Sequence, residues 1–174
     1  MAGVTRDPAP SIGAWTVGEL AGLIHTTEGL DFAVMDRVLK DKRAQPHFLI
    51  GRSGQIKQYR PFGDAATALA NKPGGVETNR KRVVQIEVCA VAKDPDWPEA
   101  QKRAVAKVMA FCARHGVPLS SSVKFTDSSG VRRLSGSQWL AFKGWLGHQH
   151  APENDHWDPG AIDITDLLSR ARKL

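Results

Sequence analysis

Cysteine is scarce in this chain of 174 residues: there are two, Cys89 and Cys112, each inside an apolar segment. Two cysteines so placed make no disulfide framework and read as small buried hydrophobes. Neither lies near a histidine cluster in sequence, which argues against a thiol ligand or nucleophile. Long hydrophobic runs are missing too, and nothing approaches the roughly 18 apolar residues that mark a membrane span. Met1 to Pro10 has no apolar core of the secretory kind, so the expected location is the cytoplasm of the cell that makes the chain. Runs of like charge are also lacking. A net charge of +6 favours a polyanionic partner if it is more than a solvated surface. The basic residues are scattered, with small groups at Arg80-Lys81-Arg82 and Arg132-Arg133. Without a basic stripe interleaved with aromatics, an acidic cell wall needs fewer assumptions than nucleic acid.

The length suits one domain with a real core. Residues 1–14, rich in Pro, Ala and Gly, read as a loose lead-in, and residues 15–174 as the domain. A short strand ends at His25. Apolar spacing from Phe32 to Lys42 predicts a helix that Pro46 closes off. His47–Ile50 and Gln55–Tyr59 read as a hairpin turning at Arg52-Ser53-Gly54. The stretch from Pro61 to Arg82 reads as loop around a short helical turn. Val83–Val91 is a β-branched run fit for a central strand. Alternation puts Gln85, Glu87 and Cys89 on one of its faces and Val84, Ile86 and Val88 on the other. Pro98–His115 is the longest helix, with Val105, Val108, Met109 and Cys112 as its apolar stripe. His115 at its end is taken as structural. Residues 123–133 suggest a second hairpin, Ser137 a cap for a short helix holding Trp139 and Trp145, and Thr165 the start of a last helix. Strands separated by helices imply an α/β (α+β) domain, a central mixed β-sheet flanked by helices.

Half of the six histidines fall in Gly147-His148-Gln149-His150-Ala151-Pro152-Glu153-Asn154-Asp155-His156-Trp157-Asp158-Pro159-Gly160, with carboxylates interleaved. Imidazole nitrogen and carboxylate oxygen are ligands for Zn2+, and a catalytic site uses three of them with one position open. Asn, Asp, Pro and Gly turn the backbone, so separated side chains can converge. The blander alternative is an exposed polar loop. A distant histidine, His25 in Ile24-His25-Thr26-Thr27-Glu28-Gly29, sits at a strand end and tips the balance towards a metal site. Glu87, in mid-strand, needs either a basic partner or a metal-bound water.

These segments resemble, in order, the motifs of zinc-dependent N-acetylmuramoyl-L-alanine amidases, relatives of peptidoglycan recognition proteins. Ile24–Gly29 is similar to the first histidine motif, Pro46–Gly54 to the strand-and-hairpin signature, Val84–Val88 to the strand bearing the catalytic glutamate, and Gly147-His148 with Asp158-Pro159-Gly160 to the remaining ligands. The spelling most resembles amidase domains of bacteriophage endolysins. The resemblance implies a Zn2+ cofactor held by His25, His148 and Asp158, with Glu87 taking a proton from water. It also implies that His156, where many relatives carry Lys, stabilises the oxyanion. His150 stands where members often carry Asp and is a substitute ligand at best. Pro46 replaces a common tyrosine, and His47 reads as structural, near the site. The implied activity is cleavage of the amide between the lactyl group of N-acetylmuramic acid and L-alanine in peptidoglycan. The implied protein is a monomer reaching the wall after release from the infected host. The alternatives are a non-catalytic peptidoglycan-binding module and a zinc peptidase cutting within the stem peptide, with nucleic-acid binding last.

Overall fold

Two parallel strands, β2 (Val17–Thr26) and β5 (Lys81–Val88), lie at the heart of a six-stranded mixed sheet. Around them run β1 (Val4–Arg6), β3 (Phe48–Ile50), β4 (Ile56–Gln58) and β6 (Gly144–Gly147), in the spatial order β1-β4-β3-β5-β2-β6. Of the pairings between these strands, the β3–β4 hairpin is antiparallel and the others are parallel. The structure, a computed structural model, describes residues 3–174. Among the described residues four α-helices complete it: α1 (Phe32–Asp41), α2 (Glu99–Arg114), α3 (Gly136–Ala141) and α4 (Ile164–Arg172). No helix among the described residues is long and apolar enough to cross a membrane.

The expected alternation of β5 holds and divides the core. Val84, Ile86 and Val88 join Ile24, Phe48 and Ile50 under α2 and α4, packed with Val105, Val108, Met109, Leu167 and Leu168. On the opposite face are two smaller apolar clusters. One gathers Leu23, Val83, Leu146 and Trp139 of α3; the other gathers Leu39 of α1 with Leu49, Tyr59 and Cys89. The strand register places His25 beside Glu87, between these clusters. Because β2, β3, β5 and β6 are parallel, their C-terminal ends share one edge of the sheet, the usual ligand-binding edge of such sheets.

Several local expectations change. Within the expected lead-in, residues 1 and 2 lie outside the described residues, but Val4–Arg6 is an edge strand paired with β4. Beyond it, Asp7 meets Lys40 and Lys57, and the Ala9 N–H donates to the Tyr59 carbonyl at 2.9 Å. The expected 61–82 loop contains no helix and ends at Arg80, since Lys81 and Arg82 already belong to β5, and residues 123–133 form a 3-10 turn at Ser128–Gly130 instead of a hairpin. The α3 cap is Ser135, in a reciprocal pair with Gln138, two residues before the expected Ser137. Trp145 lies in β6 and not in a helix. Glycine at both ends and no β-branched residue conceal this strand in the sequence.

Candidate metal centre

β2 delivers His25 to the C-terminal edge of the sheet, and β6 ends at Gly147 so that His148 follows at once. From there the chain turns through residues 149–157 and returns with Asp158. His25 Nδ1 lies 3.0 Å from His148 Nδ1, and His148 Nδ1 lies 3.1 Å from Asp158 Oδ1. His25 Nδ1 is 3.8 Å from Asp158 Oδ2, and the three ligand-type atoms all fall within 4.8 Å of one another. All three residues are buried. Three electron-pair donors held this closely repel one another unless a cation or proton stands among them. This set of two imidazoles and one carboxylate is the donor chemistry of a catalytic zinc site.

The surroundings hold the set in place. The Thr26 N–H donates to Asp158 Oδ2 at 3.0 Å, tying the loop carboxylate to the strand that carries His25. Burial alone would raise the Asp158 carboxyl, but the His148 hydrogen bond and charge, His25 and the Thr26 N–H outweigh it, so its pKa is lowered. Burial, with His148 beside it, brings the His25 imidazole down to about 3, the neutral form that a metal requires. Glu87 Oε1 is 4.0 Å from His25 Nδ1, while Glu87 Oε2 is buried with no hydrogen-bond partner. Burial first, then the Asp158 and Glu28 carboxylates, push the Glu87 carboxyl well above its ordinary value. The basic partner considered for a mid-strand glutamate is not what meets it; the neighbour is the histidine cluster.

His156 is placed differently from the three donors. Its side chain is 69% exposed, stacks on the His148 ring with centroids 4.9 Å apart, and has Nδ1 3.7 Å from Asp158 Oδ1. It therefore stands at the rim, where an incoming substrate would meet it.

His150 is turned away from this centre, which rules out its service as a substitute ligand in this arrangement. Its Nδ1 accepts from the Gly147 N–H at 3.0 Å, and its Nε2 donates to the Lys124 carbonyl at 3.1 Å. His47 is likewise committed to backbone. Its Nδ1 accepts from the Gln85 N–H at 3.0 Å and its Nε2 donates to the Asp64 carbonyl at 2.9 Å, and burial lowers it to about 4. It is structural, as expected. His115 caps α2 and packs on Phe62 and Phe111.

Some contributors escaped the sequence reading. Asn154 meets His148 Nε2 at 3.0 Å, Glu153 accepts from the Val76 N–H at 3.0 Å, and the Arg133 guanidinium donates to the Gln149 and His156 carbonyls at 3.2 and 2.9 Å. In sequence these look like turn formers and surface charges, and no spacing pairs them with partners so far along the chain.

Comparison with known proteins accords with the geometry. The profile of the N-acetylmuramoyl-L-alanine amidase family matches residues 21–161. Comparison with curated protein sequences gives no significant match. Among solved structures, the fold is similar to the Staphylococcus aureus hydrolase AmiA (15% identity, TM-score 0.63, covering 97% of this chain and 82% of that one). It is similar also to the amidase LysC from Clostridium intestinale URNW (11% identity, TM-score 0.57, 97% of each chain). A third is the endolysin of the Thermus scotoductus MAT2119 bacteriophage Ph2119 (12% identity, TM-score 0.59, 97% of this chain and 98% of that one). At such identities the structures speak for the fold, whereas the family profile spans most of the chain, including His25, Glu87, His148, His156 and Asp158. The chain therefore belongs to the N-acetylmuramoyl-L-alanine amidase family, whose members are peptidoglycan hydrolases.

Proposed function

We propose that the sheet and its helices, β1 included, form the catalytic domain of a zinc-dependent bacteriophage endolysin, with the ion held by His25, His148 and Asp158. Its target is the amide joining the lactyl group of N-acetylmuramic acid to L-alanine of the stem peptide. It acts as a monomer on the cell wall after release from the infected host. The observation that carries this reading is the convergence of three buried donors within 4.8 Å beside an unpartnered glutamate oxygen.

Bound zinc supplies a lowered pKa for water and polarises the scissile carbonyl. Glu87 takes the proton of the attacking water and returns it to the departing L-alanine nitrogen. The raised pKa of its carboxyl suits the returning step, and a neighbouring dication favours the ionised form needed for the first. His156, exposed at the rim, donates to the oxyanion that develops on the carbonyl oxygen. Thr26 and its strand hold Asp158, and the Glu87–His25 register fixes base and ligand on adjacent strands.

The test is digestion of purified peptidoglycan with the purified protein. Stem peptides with a free N-terminal L-alanine are expected, and chelation should stop their release until zinc is restored. Fragments cut within the stem peptide would point instead to a peptidase, and binding without any product to a recognition module.

A further inference from the structure

We infer that Asn154 is a positioning residue that holds His148 in the tautomer carrying its proton on Nε2, leaving the Nδ1 lone pair for the metal, and that it couples this ligand to the loop at Ala70. The inference rests on the metal reading above.

The orientation of the Asn154 amide follows from backbone groups whose roles are fixed. Asn154 Nδ2 lies 2.8 Å from the Pro152 carbonyl oxygen and 3.2 Å from that of Ala70. Carbonyls only accept, so this atom is the amino group. On the other arm, Asn154 Oδ1 lies 3.0 Å from the Ala70 nitrogen, which only donates. An amide oxygen so identified has no proton to give. His148 Nε2 is 3.0 Å from the same Oδ1, and so His148 must be the donor, with its proton on Nε2. In the neutral ring the lone pair then sits on Nδ1, the atom that faces His25 Nδ1 and Asp158 Oδ1; without metal, a second proton on Nδ1 would be donated to Asp158 Oδ1 at 3.1 Å, and a bound metal takes that proton's place.

Every hydrogen-bonding position of the Asn154 side chain is thereby used, and the residue is 2% exposed. The same oxygen serves Ala70 and His148, so a shift of the Ala70 segment moves the acceptor that orients the ligand. His25 differs: its Nε2 has no partner at hydrogen-bond distance, and the Gln85 side chain on the neighbouring strand is what stands beside its ring. Partners that orient a metal-binding histidine typically change metal affinity by about 10- to 100-fold when removed.

The experiment combines long-range 1H–15N NMR of the histidine rings with zinc titration. In the metal-free wild-type protein His148 should show protonation on Nε2 and a slowly exchanging Hε2 signal. Asn154→Ala should lose that slow exchange and weaken zinc binding by about 10- to 100-fold, with the remaining amide spectrum folded. Asn154→Asp, which keeps an acceptor for His148, should retain the Nε2 proton even if its loss of donors to Pro152 and Ala70 costs stability. A His148 ring protonated on Nδ1 with Nε2 bare in the wild-type protein overturns the inference, as does a folded Asn154→Ala protein with unchanged zinc affinity. The tautomer is read without metal, so a wild-type protein that binds no zinc overturns the metal reading and leaves the tautomer result to be scored separately.

Discussion

The two halves of the centre are built on different principles. His25 and Glu87 stand on β2 and β5, where the parallel ladder pairs them directly. Their relative position comes from backbone hydrogen bonds that also serve the core, so no side chain is needed to align them. His148, Asp158 and His156 sit on a segment with almost no repeating structure. Here alignment depends on individual side chains: Asn154 against Ala70, Glu153 against Val76, Arg133 against the His156 carbonyl, and Gln149 donating to the Gly160 carbonyl at 3.0 Å. A sheet places groups as a consequence of folding, whereas a loop must be tied at each point. Substitutions away from the ligands should therefore act on stability in the strand half and on the site in the loop half.

The heaviest effect should come from Glu87, the acid–base group proposed for the strand half. Glu87→Gln is expected to lower turnover by about 100- to 10,000-fold, the usual contribution of a positioned acid–base group. Zinc content measured in the same sample should not change. A Glu87→Gln protein with wild-type turnover would falsify the role assigned to Glu87.

The joint between the halves is the β2–β6 pairing, where Gly22 lies opposite Trp145. A Cβ at Gly22 would come within 2.5 Å of the Trp145 ring, which is fully buried. Gly22→Ala should therefore cost about 1–3 kcal/mol of stability by overpacking, read from denaturant unfolding. Stability equal to wild type would mean that β6 shifts without cost and that the joint is softer than described.

At the rim the effect should be smaller. His156→Ala is expected to lower turnover by about tenfold, less than the roughly 100- to 1,000-fold seen for enclosed oxyanion donors, because solvent competes at an exposed group. Melting behaviour and zinc content should stay at wild-type values. A turnover unchanged by the substitution would remove His156 from the mechanism.

The weakest effect is one of pH on the strand scaffold. Lys81 begins β5 fully buried, its Nζ donating to the Phe142 carbonyl at 3.3 Å and to that of Glu19, and burial lowers it to about 8 from 10.5. The unfolded chain thus holds this proton more tightly than the folded one, so the group's penalty is in force below about pH 8 and fades as pH rises towards 10.5. Wild type should gain stability relative to Lys81→Met between pH 7.5 and pH 9.5, about the window of this titration. An unchanged difference between the two proteins would show that Lys81 keeps its proton when folded.

What the sequence makes legible follows the same division. The alternation in Val83–Val91 is a period of two in a β-branched run, and it assigns Glu87 to a face before any partner is known. That a metal site lies here is legible for another reason: imidazole and carboxylate in a turning segment have few common uses, and His25 at a strand end adds a distant donor, whereas the choice of His148 and Asp158 among the loop's candidates comes from the resemblance to amidase motifs. The ties of the loop half are not legible. Asn154 needs Ala70, 84 positions away, and nothing in either local sequence records that contact. β6 is hidden similarly, since four residues bounded by glycine and adjoining a tryptophan-bearing helix carry no periodic signal of their own. His150 shows the opposite hazard. Its chemistry suits a ligand, but backbone groups at Gly147 and Lys124 have already claimed both of its nitrogens.

The central claim is that one strand imidazole and two loop side chains share a single zinc ion. Metal analysis of the purified protein beside its His25→Ala and Asp158→Ala variants tests it most directly. About one tightly held zinc per wild-type chain is expected, removable only by a strong chelator, with binding reduced to background in both folded variants. Zinc retained at wild-type level and affinity by either variant would contradict the account.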